Sequence, residues 1–194
     1  MTGDGFRKLL DRDDSVLVVV DAQPGFFAKD GFSEQDVAAA AQARDRAAWL
    51  VMLADRLAIP IVATEEEPER HGSTAIELPQ GAPVLRKPTF GLAGTPEILD
   101  AIKVTGRGTA VLVGCETDVC VAQSAIGLQD EGFRCVVVAD ATFSPGEMHE
   151  RGLDRLAAAG VDRNHSKGVA YEWLRSVEDA HTVLPALPPP PFRL

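Results

Sequence analysis

Val111 to Val121, read as VLVGCETDVCV, is the stretch on which the fold turns. Val111 to Gly114 is an uninterrupted apolar run ending in glycine, the pattern of a strand buried on both faces. From Asp118 onward the pattern is helical, and the link between the two is a polar turn of three residues, Glu116 among them. Strand, tight turn and helix in this order are half of a βαβ unit. Cys120 falls in the first helical turn, where amides lack intrahelical partners and the helix dipole favours a thiolate. Thr117 is the expected N-cap of a helix over 118–131. Placement alone leaves Cys120 open between a nucleophile and a small buried core residue.

The same alternation extends in both directions. Apolar runs at Ser15–Val20, Ile59–Thr64, Pro83–Leu85, Thr109–Gly114 and Cys135–Ala139, with a short one near Val161–His165, predict strands. Helical patterns lie between them: Ser33–Ala58 with Ser33 as cap, a helix opened by Thr95-Pro96-Glu97, Glu147–Ala159 and Gly168–Val177. The expected fold class is α/β, a single-domain sandwich with a mainly parallel sheet. That domain is expected over 1–184, followed by a Pro-rich tail over 185–194 (LPALPPPPFRL from Leu184), read as extended and free to pack on a neighbouring subunit.

The chain has 194 residues, 45% hydrophobic, and a net charge of −10. Such acidity speaks against nucleic acid and anionic membrane surfaces as partners. No apolar run reaches the ~18 residues of a membrane span, and the acidic start, MTGDGFRKLLDRDD, lacks the apolar core of a signal peptide. Three cysteines, at 115, 120 and 135, match neither a disulfide framework nor a zinc ribbon, so the expected compartment is the reducing cytoplasm. The four histidines show no metal-ligand spacing, and Gly106-Arg107-Gly108 lacks the third glycine of a dinucleotide fingerprint. Neither a metal nor an organic cofactor is expected.

In an open parallel sheet, ligands bind beyond the carboxyl ends of the strands. The residues there are Asp21 with Gln23, Thr64 to Glu67, Arg86-Lys87, Cys115 to Cys120 and Asp140. Asp21, after five apolar residues, is costly unless it caps, pairs or reacts, and it is placed to accept a thiol proton. Lys87 near Cys120 would favour the thiolate. Gln23 is read as orienting the carboxylate or holding a ligand. Phe26, Phe27 and Phe90 are candidate walls of an apolar pocket, with core packing as the alternative, and Glu65 is a candidate contact for a cationic part of a ligand.

DAQPGFF at Asp21, RKPTFG around Lys87, and GCETDVCVAQSAIGLQDEGFRCVVVADA from Gly114 together resemble the isochorismatase-like cysteine hydrolases, a family that includes nicotinamidases and N-carbamoylsarcosine amidases. The resemblance runs from about Asp14 to Gly160. It implies a six-stranded parallel sheet flanked by helices as an α/β/α sandwich, in a homo-oligomer (dimer or tetramer). It also implies an Asp21, Lys87, Cys120 triad, a cis peptide at Cys115–Glu116, and an oxyanion hole from the amides of Glu116 and Cys120. The metal-binding Asp-x-His of nicotinamidases is absent: Glu66 and Pro68 stand in its place. True isochorismatases lack the cysteine. The expected activity is hydrolysis of a small-molecule amide or related C–N bond through a Cys-linked acyl-enzyme. Two other readings stay open: hydrolysis of a vinyl ether or other non-amide bond, and a non-catalytic binding module of the same fold.

Overall fold

A computed structural model describes residues 9–192. Part of the acidic N-terminal stretch and the last two residues of the Pro-rich tail lie outside them. Six strands, β1 (Ser15–Val20), β2 (Ile61–Glu65), β3 (Val84–Arg86), β4 (Thr109–Cys115), β5 (Arg134–Phe143) and β6 (Asp162–Asn164), form one sheet in the order β3-β2-β1-β4-β5-β6. Every neighbouring pair is parallel. The sheet is therefore wholly parallel, with its topological switch point between β1 and β4.

Both faces are covered, which is why the strands read as continuous apolar runs. In β1, Leu17 and Val19 enter one core cluster with α2 (Glu34–Arg56) and α7 (Ser166–Leu174). Val16, Val18 and Val20 enter the other, with α4 (Pro96–Lys103), α5 (Ala122–Asp130) and α6 (Met148–Ala158). Ser33 caps α2 as expected, accepting from the Asp36 amide, while the Asp36 carboxylate accepts from the Ser33 amide. Among the described residues, no helix is long and apolar enough to cross a membrane.

Several elements depart from the expectation. Thr117 does not cap a helix: Thr117–Val121 form a π-helical turn entered from Glu116. The predicted helix over Gly168–Val177 starts at Ser166, because the His165 side chain accepts from the Gly168 amide, and it ends at Leu174. Arg175 is left-handed at φ 63°, and Ser176 then caps α8 (Val177–Val183). Two four-residue helices, α1 (Pro24–Phe27) and α3 (Pro68–His71), each open with proline. β5 runs on to Phe143 because its pairing with β4 is interrupted by a register shift: Leu112 faces Val137, but Gly114 faces Thr142. The described part of the tail folds back on α2. Trp49 Nε1 donates to the Pro188 carbonyl at 3.0 Å, and Phe192 meets the Trp49 ring edge-on at 5.1 Å.

Candidate active site

The carboxyl ends of β1, β2, β3 and β4 deliver four side chains to one buried point. Asp21 directly follows β1, Glu66 follows β2, Lys87 follows β3, and Cys120 lies in the π turn after β4. Asp21 sits at φ 43°, a left-handed conformation that costs a non-glycine residue about 1–3 kcal/mol and persists only where the surroundings enforce it. Gln23 enforces the neighbouring geometry. Its amide group donates to the Glu66 and Gly72 carbonyls and accepts from the Glu66 amide at 2.8 Å. Gln23 thus clamps the β2 loop, and the expectation that it orients the Asp21 carboxylate is corrected: Thr64 does so, its hydroxyl donating to Asp21 Oδ1 at 2.8 Å.

Lys87 Nζ lies 2.9 Å from Asp21 Oδ2, and both side chains are 0% exposed. The ion pair is close, yet Asp21 Oδ2 receives no well-directed hydrogen bond. The ammonium donates to the Thr89 carbonyl (2.7 Å), to Glu66 Oε2 (3.3 Å) and to Cys120 Sγ (3.6 Å). The thiol in turn donates to Glu66 Oε2 at 3.3 Å. The ligand atoms of Asp21, Glu66 and Cys120 all lie within 4.8 Å of one another.

Burial pushes the Asp21 carboxyl above its usual range, with Lys87 opposing. For Lys87, burial works to lower the pKa, but attraction to Asp21, then Cys120 and Glu66, outweighs it and the net shift is upward. Burial also pushes the Cys120 thiol up, and the Asp21 carboxylate adds to this more than Lys87 takes away. The net push is toward the protonated thiol, against the help that Lys87 and the helix start were expected to give the thiolate. Any reaction at Sγ would then need its proton removed as the bond forms.

The turn itself is shaped by two glycines. A Cβ at Gly114 (φ 114°) would lie 1.9 Å from the Val20 carbonyl oxygen, so only glycine lets β1 and β4 approach at the switch point. A Cβ at Gly152 would lie 2.7 Å from Asp118 Cα, so α6 seats directly on the π turn. Thr117 Oγ1 pairs with His149 Nδ1 at 2.9 Å, and Ser144 Oγ donates to Asp118 Oδ1. The Cys115–Glu116 peptide is cis. The Glu116 carbonyl accepts from the Val119 and Val121 amides, so the π turn closes around Cys120 rather than through it.

Other expected site residues fall elsewhere. Glu65 is held by the Thr74 amide, which donates to Oε1 at 2.7 Å. Asp140 turns away to accept from the Ser166 amide and hydroxyl. Arg86 pairs with Glu69 on the surface. Phe26 and Phe27 are buried in the core, with Phe26 stacked on His71. Phe90 is 54% exposed, and its ring centre lies 6.0 Å from Lys87 Nζ. Glu66 was expected only on the Thr64–Glu67 rim, at the position where nicotinamidases carry a metal-binding aspartate, and no role was assigned to it.

The chain matches the isochorismatase domain over residues 15–163. It belongs to the isochorismatase-like hydrolase family. Isochorismatase domain-containing protein 2 of Xenopus laevis is 32% identical over 165 residues, covering 82% of this chain and 76% of that protein. Isochorismatase domain-containing protein 1 of Danio rerio is 35% identical over 125 residues, covering 63% of this chain; the chain spans only 44% of that relative's length. Among solved structures, the ycaC gene product of Escherichia coli, described as an octameric hydrolase of unknown specificity, superposes with a TM-score of 0.81 at 26% identity, covering 92% of this chain and 88% of that one. The family's sheet is the six-stranded parallel sheet seen here, and the family resemblance read from Asp21, Lys87 and the Gly114–Ala141 block is borne out.

The thiols also set a dependence of stability on pH. Burial raises Cys115 and Cys120, and pushes Cys135 up from 9.0 to about 12. Above pH 9 the unfolded chain releases these protons while the folded chain keeps them, so stability falls as pH rises. Cys135 alone is expected to contribute a loss of ~1.4 kcal/mol per pH unit between its two values. Urea unfolding at pH 8, 9 and 10 checks this: the slope should be steep in the wild type and shallower in Cys135→Ala. Equal slopes would contradict it.

Proposed function

We propose that the chain is a cysteine hydrolase that cleaves a small-molecule amide or related C–N bond through an acyl-enzyme on Cys120. The observation that carries this reading is the thiol held between a carboxylate and an ammonium at the carboxyl ends of the strands, all of them buried. Asp21 accepts the thiol proton as Sγ attacks the carbonyl carbon, and Oδ2, which lacks a directed donor, is the oxygen free to take it. The amides of Glu116 and Cys120 receive the developing oxyanion. As the C–N bond breaks, Asp21 returns the proton to the departing nitrogen. Water then gives its proton to Asp21 and its oxygen to the acyl carbon, and the thiol is restored. Lys87 opposes the pull of burial on the Asp21 carboxyl and so favours its ionised, proton-accepting form. The octameric Escherichia coli relative supports a homo-oligomer for this chain as well.

Release of free acid from a panel of small amides, compared between wild type and Cys120→Ala, tests the reading. Loss of the nucleophile is expected to lower turnover by at least about 10³-fold. Turnover retained in Cys120→Ala would instead support cleavage of an ether or other bond by the carboxylates.

A further inference from the structure

The charges of the site are unevenly committed. An ammonium has three protons to donate. Lys87 Nζ already donates to Glu66 Oε2, the Thr89 carbonyl and Cys120 Sγ, and lies 2.9 Å from the Asp21 carboxylate it neutralises. It has no donor left for an anionic ligand. The other nearby cation, Lys29, is paired with Glu116 at 3.1 Å. The negative groups are not used up in the same way. Asp21 and Glu66 together outnumber the single ammonium between them. Both contacts of Glu66 Oε2 are long, at 3.3 Å, and among the described residues no hydrogen bond reaches its Oε1. The Glu66 side chain is 18% exposed, whereas those of Asp21 and Lys87 are sealed.

The position of Glu66 is also fixed. Gln23, fully buried, holds both the amide and the carbonyl of Glu66, so its carboxylate is presented on a rigid support. Phe90 exposes a large aromatic ring whose centre lies 6.0 Å from the same ammonium. A partly exposed carboxylate and an exposed aromatic ring flanking the same ammonium are groups that attract a cation, through charge pairing and cation–π attraction.

We propose that Glu66 is the specificity-determining carboxylate of this site, receiving a positively charged group of the substrate against the Phe90 ring, so that the substrate class is a small amide bearing an ammonium or other cation close to the scissile carbonyl. The word amide rests on the hydrolase reading above; the cation preference does not. A cation arriving at Glu66 draws its carboxylate away from the thiol, removing one of the two negative groups that hold the proton on sulfur. Recognition and activation of Cys120 are thereby coupled.

Thiol-specific probes test this without a known substrate. Methanethiosulfonates transfer their thiol half to a cysteine, forming a mixed disulfide and releasing sulfinate. Their 2-aminoethyl (cationic), methyl (neutral) and 2-sulfonatoethyl (anionic) forms differ in charge. Rates of Cys120 modification are read by intact mass, with Cys120→Ala subtracting reaction at Cys115 and Cys135. Wild type is expected to react in the order cationic, neutral, anionic. Glu66→Gln should cut the cationic-to-anionic rate ratio at least about tenfold, and Phe90→Ala should lower the cationic rate alone. Glu67→Gln removes an equal charge one residue away and should leave the ratio within about twofold. Glu66→Asp, which keeps the charge, should retain most of the preference. A ratio unchanged in Glu66→Gln, or one lowered equally by Glu67→Gln, would overturn the proposal. Failure of amide turnover with this pattern intact would instead remove the amidase reading and leave the cation site standing.

Discussion

Replacing Lys87 by methionine is expected to destabilise the protein by ~3–5 kcal/mol near pH 8 and to abolish hydrolysis. The side chain is fully buried and pairs with an equally buried Asp21 at 2.9 Å. Removing one partner strands the other charge in a low dielectric, which costs far more than the pair contributes. The sign of the pH dependence follows from Asp21, whose carboxyl burial already raises and whose counterion is then gone. The folded variant binds a proton more readily than its unfolded chain, so its deficit should shrink as pH falls through the acid range. The double variant Asp21→Asn with Lys87→Met should recover most of the stability, since a neutral amide removes the fully buried unpaired carboxylate and leaves only the partly exposed Glu66 without its ammonium, while remaining inactive. Chemical unfolding of the three proteins at pH 8 and pH 5 measures all of this. A pH-independent loss below about 1 kcal/mol for the single variant would contradict the pairing.

Gly114→Ala is expected to prevent folding to the native state, with a cost above about 4 kcal/mol. At φ 114°, an L-residue is strained, and the added methyl would sit 1.9 Å from the Val20 carbonyl oxygen, a backbone atom of the central strand that cannot move aside. Gly31→Ala separates the two causes. It has a comparable φ of 92° but open space around the added carbon, so it carries the conformational penalty alone, about 1–3 kcal/mol. Far-ultraviolet circular dichroism and thermal melts should therefore show Gly31→Ala folded with a lowered midpoint and Gly114→Ala unfolded or insoluble. Similar melting of both would mean that contact with Val20 adds nothing.

Much of the architecture was legible because it is written in local pattern. SVLVVV is strand over the full span expected, since a strand buried on both faces has no polar interruption. The Ser33 capping box and Pro96 at a helix start are likewise local chemistry. What was missed depends on partners distant in sequence. The end of β5 beyond Ala139 owes its strand geometry to a register shift against β4, and nothing in Asp140–Phe143 signals it alone. The π turn that displaced Thr117 from its expected cap is shaped by the close approach of α6 at Gly152. The Ser176–Asp179 cap was readable, and was absorbed into an overlong helix.

The site shows the same division. Asp21, Lys87 and Cys120 stood out because a charge or a thiol at the end of an apolar run needs a reason. Glu66 sits in the run Glu65-Glu66-Glu67, where three adjacent carboxylates look alike in sequence. The fold separates their roles: Glu65 holds a loop amide, Glu67 faces solvent, and Glu66 is turned by the Gln23 clamp toward the thiol.

Intact-protein mass spectrometry during turnover tests the proposed covalent route through Cys120. Wild type and Cys120→Ala are mixed with small amides, cationic ones included, quenched in acid within seconds, and weighed. An added acyl mass is expected on wild type alone, localised to Cys120 and decaying as free acid accumulates. Free acid formed at equal rates by both proteins, with no adduct on either, would contradict that route.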